Sequence, residues 1–192
     1  MNYTTAALHD IGQVRVGPDW YMANHSHQDL HQIIVVNRGG TKVIIGGKHV
    51  KGEVGDVLFY PKDTPHEEWA NKKRGMHTFV LSFCGKIPQD GVPVKVHDTQ
   101  GRLRELAHWI HEESQNRTQA NTEVNQGFFH AFLAEWLRLA RHREATLLNR
   151  LRNHVRNHIM ESIDLDRLAN EAVQFIEANK NDPHGRCPAY PP

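Results

Sequence analysis

The chain has 192 residues, 39% apolar and 23% charged, with a formal net charge of +1. It is too apolar for a disordered chain, long enough to bury a core without disulfides, and carries no basic field that would announce nucleic acid. Cys84 and Cys187 lie far apart in no metal-ligand spacing, and no apolar run nears the roughly 18 residues of a membrane span.

Residues 1–16 contain no charged-then-apolar leader, so a cytoplasmic, reducing compartment is the expectation. The 15 histidines would add positive charge as pH falls through about 6.5.

Strands come first. Residues 11–16 alternate as a strand should, and 19–22 can begin another. Three β-branched or aromatic runs follow at 33–36, 42–45 and 57–60, ended by Gly39-Gly40, Gly46-Gly47 and Pro61 respectively. A fourth run, HTFVLSF at 77–83, ends at Gly85. Short runs of this kind, separated by glycine turns at roughly 8–12 residues, predict an all-β sandwich or barrel. Several are apolar at consecutive positions, as suits strands covered on both faces.

The segment 87–93 (IPQDGVP) breaks regular structure, and the period then changes to that of helices. Leu103, Leu106, Ala107 and Ile110 form one stripe over 102–113. Over 127–140, Phe128, Phe132 and Trp136 form one row and Phe129, Leu133, Leu137 and Ala140 the next; both rows read as core. A third helix is predicted over 145–160 and a fourth over 164–179 with Asp164 as N-cap, before a proline-rich tail predicted to be disordered from 182. The domain expectation is 1–97, 98–181 and 182–192.

The chemistry concentrates in His25-Ser26-His27-Gln28-Asp29-Leu30-His31-Gln32 and, later, His66. Histidines two apart on a strand leave the same face, so His25 and His27 can both reach one ion at roughly 2.1 Å. His31 shares their parity, but a straight strand would set it about 13 Å from His27. The chain must bend within 28–30 for it to join. Glu68 shares the parity of His66 and is expected to point inward, as an effector hydrogen bond or a salt bridge before a catalytic base; Glu67 is expected to point outward. Trp69 is expected at the same mouth as an aromatic wall for a sugar or other small effector. His154 and His158, and the arginines 138, 141, 143, 150, 152 and 156, read as solvated helix faces.

The stretches HSHQDLHQIIVVNRGG and GDVLFYPKDTPHEEW resemble the two motifs of cupins, H-x-H-x(3,4)-E with a glycine turn and then glycine, strand, proline, histidine. The second is similar to the Gly-Asp…Pro…Thr-Pro-His form of AraC-family sensor domains. The resemblance implies a mainly β plus α protein: a cupin-like double-stranded β-helix, or jelly-roll, barrel followed by a helical dimerisation segment. It implies metal ligands at His25, His27 and His66, with the fourth position at His31 or Gln32 where the pattern has glutamate. Zn²⁺, Ni²⁺ or Fe²⁺ would suit such a site. Many sensors of that type instead use the barrel for a small organic effector without metal, and such an effector would meet His25, His27, Gln32, His66, Glu68 and Trp69. IMESIDLDRLANEA, from Ile159, is similar to the start of a helix-turn-helix, but no recognition helix follows. The implied role is effector sensing and homodimerisation through the C-terminal helices, with DNA contacted only if a longer chain supplies the missing domain. A metal-dependent cupin enzyme (oxygenase, isomerase or lyase) is the alternative.

Overall fold

The first half folds as eight strands, five of which contain the runs read from the sequence, and the period-3.6 runs of the second half become helices. The computed structural model describes residues 6–87, 92–115 and 118–158 (backbone alone at 119–120 and 142–158), together with 170, 173 and 174. The expected fourth helix lies almost wholly outside these residues, as do the helix-turn-helix-like segment and the tail.

The strands are β1 (Ala7–Val16), β2 (Tyr21–His25), β3 (His31–Ile45), β4 (Lys48–Glu53), β5 (Asp56–Tyr60), β6 (His66–Ala70), β7 (Met76–Cys84) and β8 (Lys95–His97). They are followed by α1 (Arg102–Ser114) and α2 (Gln119–His158). The two helices expected at 127–140 and 145–160 therefore fall within one helical span; no glycine or proline interrupts residues 141–144. The unit that carries the site comprises residues 1–141, and 142–192 form a second.

One long strand organises the fold. The first part of β3 pairs with β7 and β5, giving the order β1-β7-β3-β5-β8. Its second part pairs with β4 and β6, and β6 in turn with β2. All these pairings are antiparallel.

The expected turn at Gly39-Gly40 is thus the middle of a strand. Gly39 has φ +73°, and a Cβ there would stand 2.1 Å from the Gly75 carbonyl oxygen. The glycine serves a close backbone approach. The register shift between Val36 and Arg38 inserts an extra residue, which reverses the pleat. Ile34 before the bulge and Val43 and Ile45 after it consequently share one core cluster, with Leu58 and Tyr60.

The opposite face of the first sheet is covered by helices. Ile33, Val35, Phe59, Phe79, Leu81 and Phe83 pack with Leu103, Ala107 and Ile110 of α1 and with Phe129, Phe132, Leu133 and Trp136 of α2. Both helical stripes are core, as their spacing predicts. The Gln126 side chain also accepts from the Leu8 amide and donates to the Leu8 carbonyl, which ties α2 to β1.

β4, like β8, is a strand that the sequence pattern hides. KHVKGE is largely polar because only one edge of its surface meets the core, at Val50 and the buried Gly52. Among the described residues no helix is long and apolar enough to cross a membrane.

Candidate metal centre

β2 and β6 bring the first two imidazoles together. His25 is opposite His66 in the β2–β6 pair, after a register shift between Met22 and His25. That irregularity lets Met22, opposite Glu68, and His25, opposite His66, both lie on the inner side. His27 follows where the strand has ended. Its carbonyl accepts the Asp63 amide at 2.8 Å, so the 61–65 loop preceding His66 clamps the backbone of the first motif. The ring centroids of His25 and His66 are 4.3 Å apart, those of His25 and His27 5.0 Å, and those of His27 and His66 5.5 Å. One ligand nitrogen from each ring lies within 4.8 Å of the others.

The hydrogen bonds orient these rings. His25 Nδ1 donates to the Ala23 carbonyl at 2.9 Å, and His66 Nδ1 donates to the Thr64 carbonyl at 3.0 Å. A neutral imidazole so bonded presents a lone pair at Nε2, and a backbone carbonyl on the other nitrogen is the usual support of a metal-bound histidine. The Nε2 atoms of His27 and His66 are buried and have no hydrogen-bond partner among the described residues. Buried polar atoms are normally satisfied, so this pair fits a missing electrophile. Burial is the main cause that lowers the His27 and His66 pKa values, a direction that favours the neutral form a metal ligand requires.

Further residues complete the inner wall. Glu68 is buried with its Oε1 accepting the Thr41 hydroxyl at 2.6 Å. Burial raises its pKa, opposed by the Thr41 hydrogen bond. Tyr60 packs against His66 at 4.6 Å between centroids; its hydroxyl faces Glu68 electrostatically without a well-formed hydrogen bond. Gln32 donates to Ser82 Oγ at 3.3 Å and also interacts with His27. Tyr60 and Thr41 were not evident from sequence. The alternation of Leu58 and Tyr60 against Phe59 is the only sign, and it requires knowing which face is inside.

Two expected members are elsewhere. His31 is not among the three clustered histidines: it opens β3 on the helix-covered face, stacked between Phe59 at 5.6 Å and Phe83 at 5.3 Å. The chain does bend after His27, but the bend changes which side residue 31 faces. His31 Nδ1 instead accepts the Lys62 amide at 3.1 Å, bracing the loop before His66, while burial lowers its pKa. Trp69 shares the outward parity of Glu67, not the inward parity of His66 and Glu68, and it stacks on Tyr21 at 5.1 Å. Glu67 points outward as expected and accepts the Tyr21 hydroxyl at 3.0 Å.

The Gly-Asp step of the second motif is structural. Gly55 has φ +88°, and the buried Asp56 accepts the Glu53 amide at 2.9 Å and pairs with His97 at 2.8 Å and Lys95 at 3.2 Å. Those contacts anchor β8 to β5.

An eight-stranded jelly roll with inward histidines from two motifs is the cupin architecture. Residues 12–82 match the family model described as the cupin domain. No curated protein matches the chain. Among solved structures it is similar to KdgF from Halomonas sp., with 21% identity over 40% of this chain and 69% of that one and a TM-score of 0.36. It is also similar to YhaK from Escherichia coli (18% identity, 51% of this chain and 45% of that one, TM-score 0.44). A third is described as a "predicted oxalate decarboxylase" from Thermotoga maritima (19% identity, 42% and 68%, TM-score 0.35).

Proposed function

We propose that this chain is a metal-dependent cupin enzyme that holds one divalent transition metal on His25, His27 and His66 and acts on a small oxygen-bearing molecule. The observation that carries this reading is the pair of buried Nε2 atoms on His27 and His66 that have no hydrogen-bond partner among the described residues. Zn²⁺, Ni²⁺ and Fe²⁺ all suit an imidazole site. Such an ion supplies Lewis-acid polarisation, or activation of water or dioxygen, at positions that three protein ligands leave open. The chain's own residues do the rest. Glu68, buried and raised in pKa, holds or takes a proton at its carboxyl; Gln32 offers an amide beside His27; Ile34, Leu58 and Val80 keep that wall dry. Oxygenase, isomerase and lyase chemistry are all compatible with this donor set.

Elemental analysis of the purified chain, before and after incubation with each of the three metals, tests the reading. About one ion per chain is expected, falling to background in His27→Ala. A metal-free wild type that stays metal-free after incubation would overturn it.

An AraC-type effector sensor is the second reading, and one observation favours it. α1 and α2 pack directly on the reverse of the sheet whose inner face carries Gln32, Ile34 and Tyr60, so an occupant could be felt by the helices. On those helices Trp109 is 48% exposed and lies 5.6 Å from Phe128, a surface for a second copy of the chain. In this reading an effector must favour one helix arrangement over another. Sedimentation with and without metal, across a panel of sugars and small acids, distinguishes the two: a ligand-dependent change of oligomeric state belongs to the sensor alone.

A further inference from the structure

Trp69, turned away from the histidines, belongs to a different concavity. On the outer side of the second sheet, Lys51 of β4 is directly opposite Lys42 of β3, Lys42 is opposite Trp69 of β6, and Trp69 is opposite Tyr21 of β2. This row continues into a groove of about 760 Å³, bounded by the turn that carries Trp20 and the turn that carries Lys72 and Lys73. The volume falls in the range of small-ligand sites, roughly 300–1,000 Å³.

The charges are uneven. Four lysines line the groove against one carboxylate, Asp19. Lys51 pairs with Glu53, whereas Lys42, Lys72 and Lys73 have no ion pair among the described residues. Two lysines directly opposite on neighbouring strands repel one another, and nothing in the fold requires them there. The Asn71 side chain accepts the Lys73 and Arg74 amides at 3.0 and 3.1 Å, which fixes the course of the turn beside the groove. Next to Lys42 in this row is the stacked Trp69–Tyr21 pair, a flat apolar surface beside the strand lysines.

We propose that this groove is a second binding site, separate from the histidine chamber, for a small ring-bearing anion. The ring lies on Trp69, and a carboxylate or phosphate on the ligand is held by Lys42 and Lys51 with help from Lys72 and Lys73. Aromatic stacking selects for a ring, and the lysine ammonium groups, as point charges with rotatable donors, accept either anion.

The test uses the full chain and calorimetric titration with galacturonate, glucose 6-phosphate and AMP, with glucose and inorganic phosphate as controls. At least one ring anion is expected to bind about tenfold or more tightly than glucose. In the double variant Lys42→Ala/Lys51→Ala that affinity drops about tenfold, while the thermal midpoint holds or rises because a repulsive pair has gone. Trp69→Ala weakens the ring anion and leaves inorganic phosphate unchanged, which separates stacking from charge. His27→Ala leaves binding intact, so failure here is distinguishable from failure of the metal site. The proposal is overturned if no ring anion binds at millimolar concentration, if the lysine variant binds as well as wild type, or if His27→Ala abolishes binding. Tighter binding of a single-stranded oligonucleotide than of every small anion would also overturn it.

Discussion

His31 and His66 are equally buried, each 1% exposed, and each stands near the start of a strand in a histidine-bearing motif. Their surroundings differ. His31 is packed between Phe59 and Phe83, and its Nδ1 accepts the Lys62 amide. His66 sits against His25 and His27, its Nδ1 donates to Thr64, and its Nε2 has no hydrogen-bond partner among the described residues. Burial therefore does not distinguish a ligand from a structural histidine. What distinguishes them is a desolvated lone pair aimed at other desolvated lone pairs, a state that costs stability unless an electrophile occupies it.

The sharpest way to break this comparison is to truncate each ring. His66→Ala should weaken metal binding at least about a hundredfold, because even supporting residues around a metal can be worth that much. His31→Ala should keep the metal and lose about 3 kcal/mol of stability, through a cavity between two phenylalanines and an orphaned Lys62 amide. Metal titration and urea unfolding read the two effects, and identical phenotypes would dissolve the distinction.

A smaller effect concerns pH. Burial lowers the His31 pKa in the folded state, so below the unfolded value of 6.5 the unfolded chain binds a proton that the folded chain does not. Stability is then complete above that value and is lost as pH falls from it toward the folded pKa. His77 and His111, lowered first by burial and then by nearby positive charge, add to the same slope. Each group contributes at most about 1.4 kcal/mol per pH unit. His31→Gln should therefore flatten, but not abolish, the loss of urea midpoint between pH 6.5 and 5; an unchanged slope would show that His31 is protonated in the fold.

The finest adjustment is Gln32→Glu. It places an anionic donor where the cupin pattern has one, beside His27, and should tighten binding of an added divalent ion about tenfold. Unchanged affinity would mean that residue 32 does not reach the ion.

Much of this was legible in the chain. Alternation and β-branched runs located five of the strands, and helical stripes named the residues that cover the first sheet. The two-residue spacing of His25 and His27, the later His66 and the parity of Glu68 and Glu67 all point where the structure places them. What could not be read were the interruptions of period. The register shifts at Met22–His25 and Val36–Arg38 each change which side later residues face, and neither bears a distinctive residue. Trp69 was misplaced for a different reason: its parity with Glu67 was readable, but proximity to His66 in sequence suggested a shared mouth.

The sequence by itself determined the local periods, and with them the strands, the helices and the inventory of imidazoles, because alternation and helical spacing are properties of neighbouring residues. Only the tertiary structure decided that His25, His27 and His66 converge while His31 braces a loop and Trp69 faces an outer groove. Which side of a sheet becomes the interior depends on bulges, on pairing between distant strands and on what the helices cover, and no short stretch of chain carries that information.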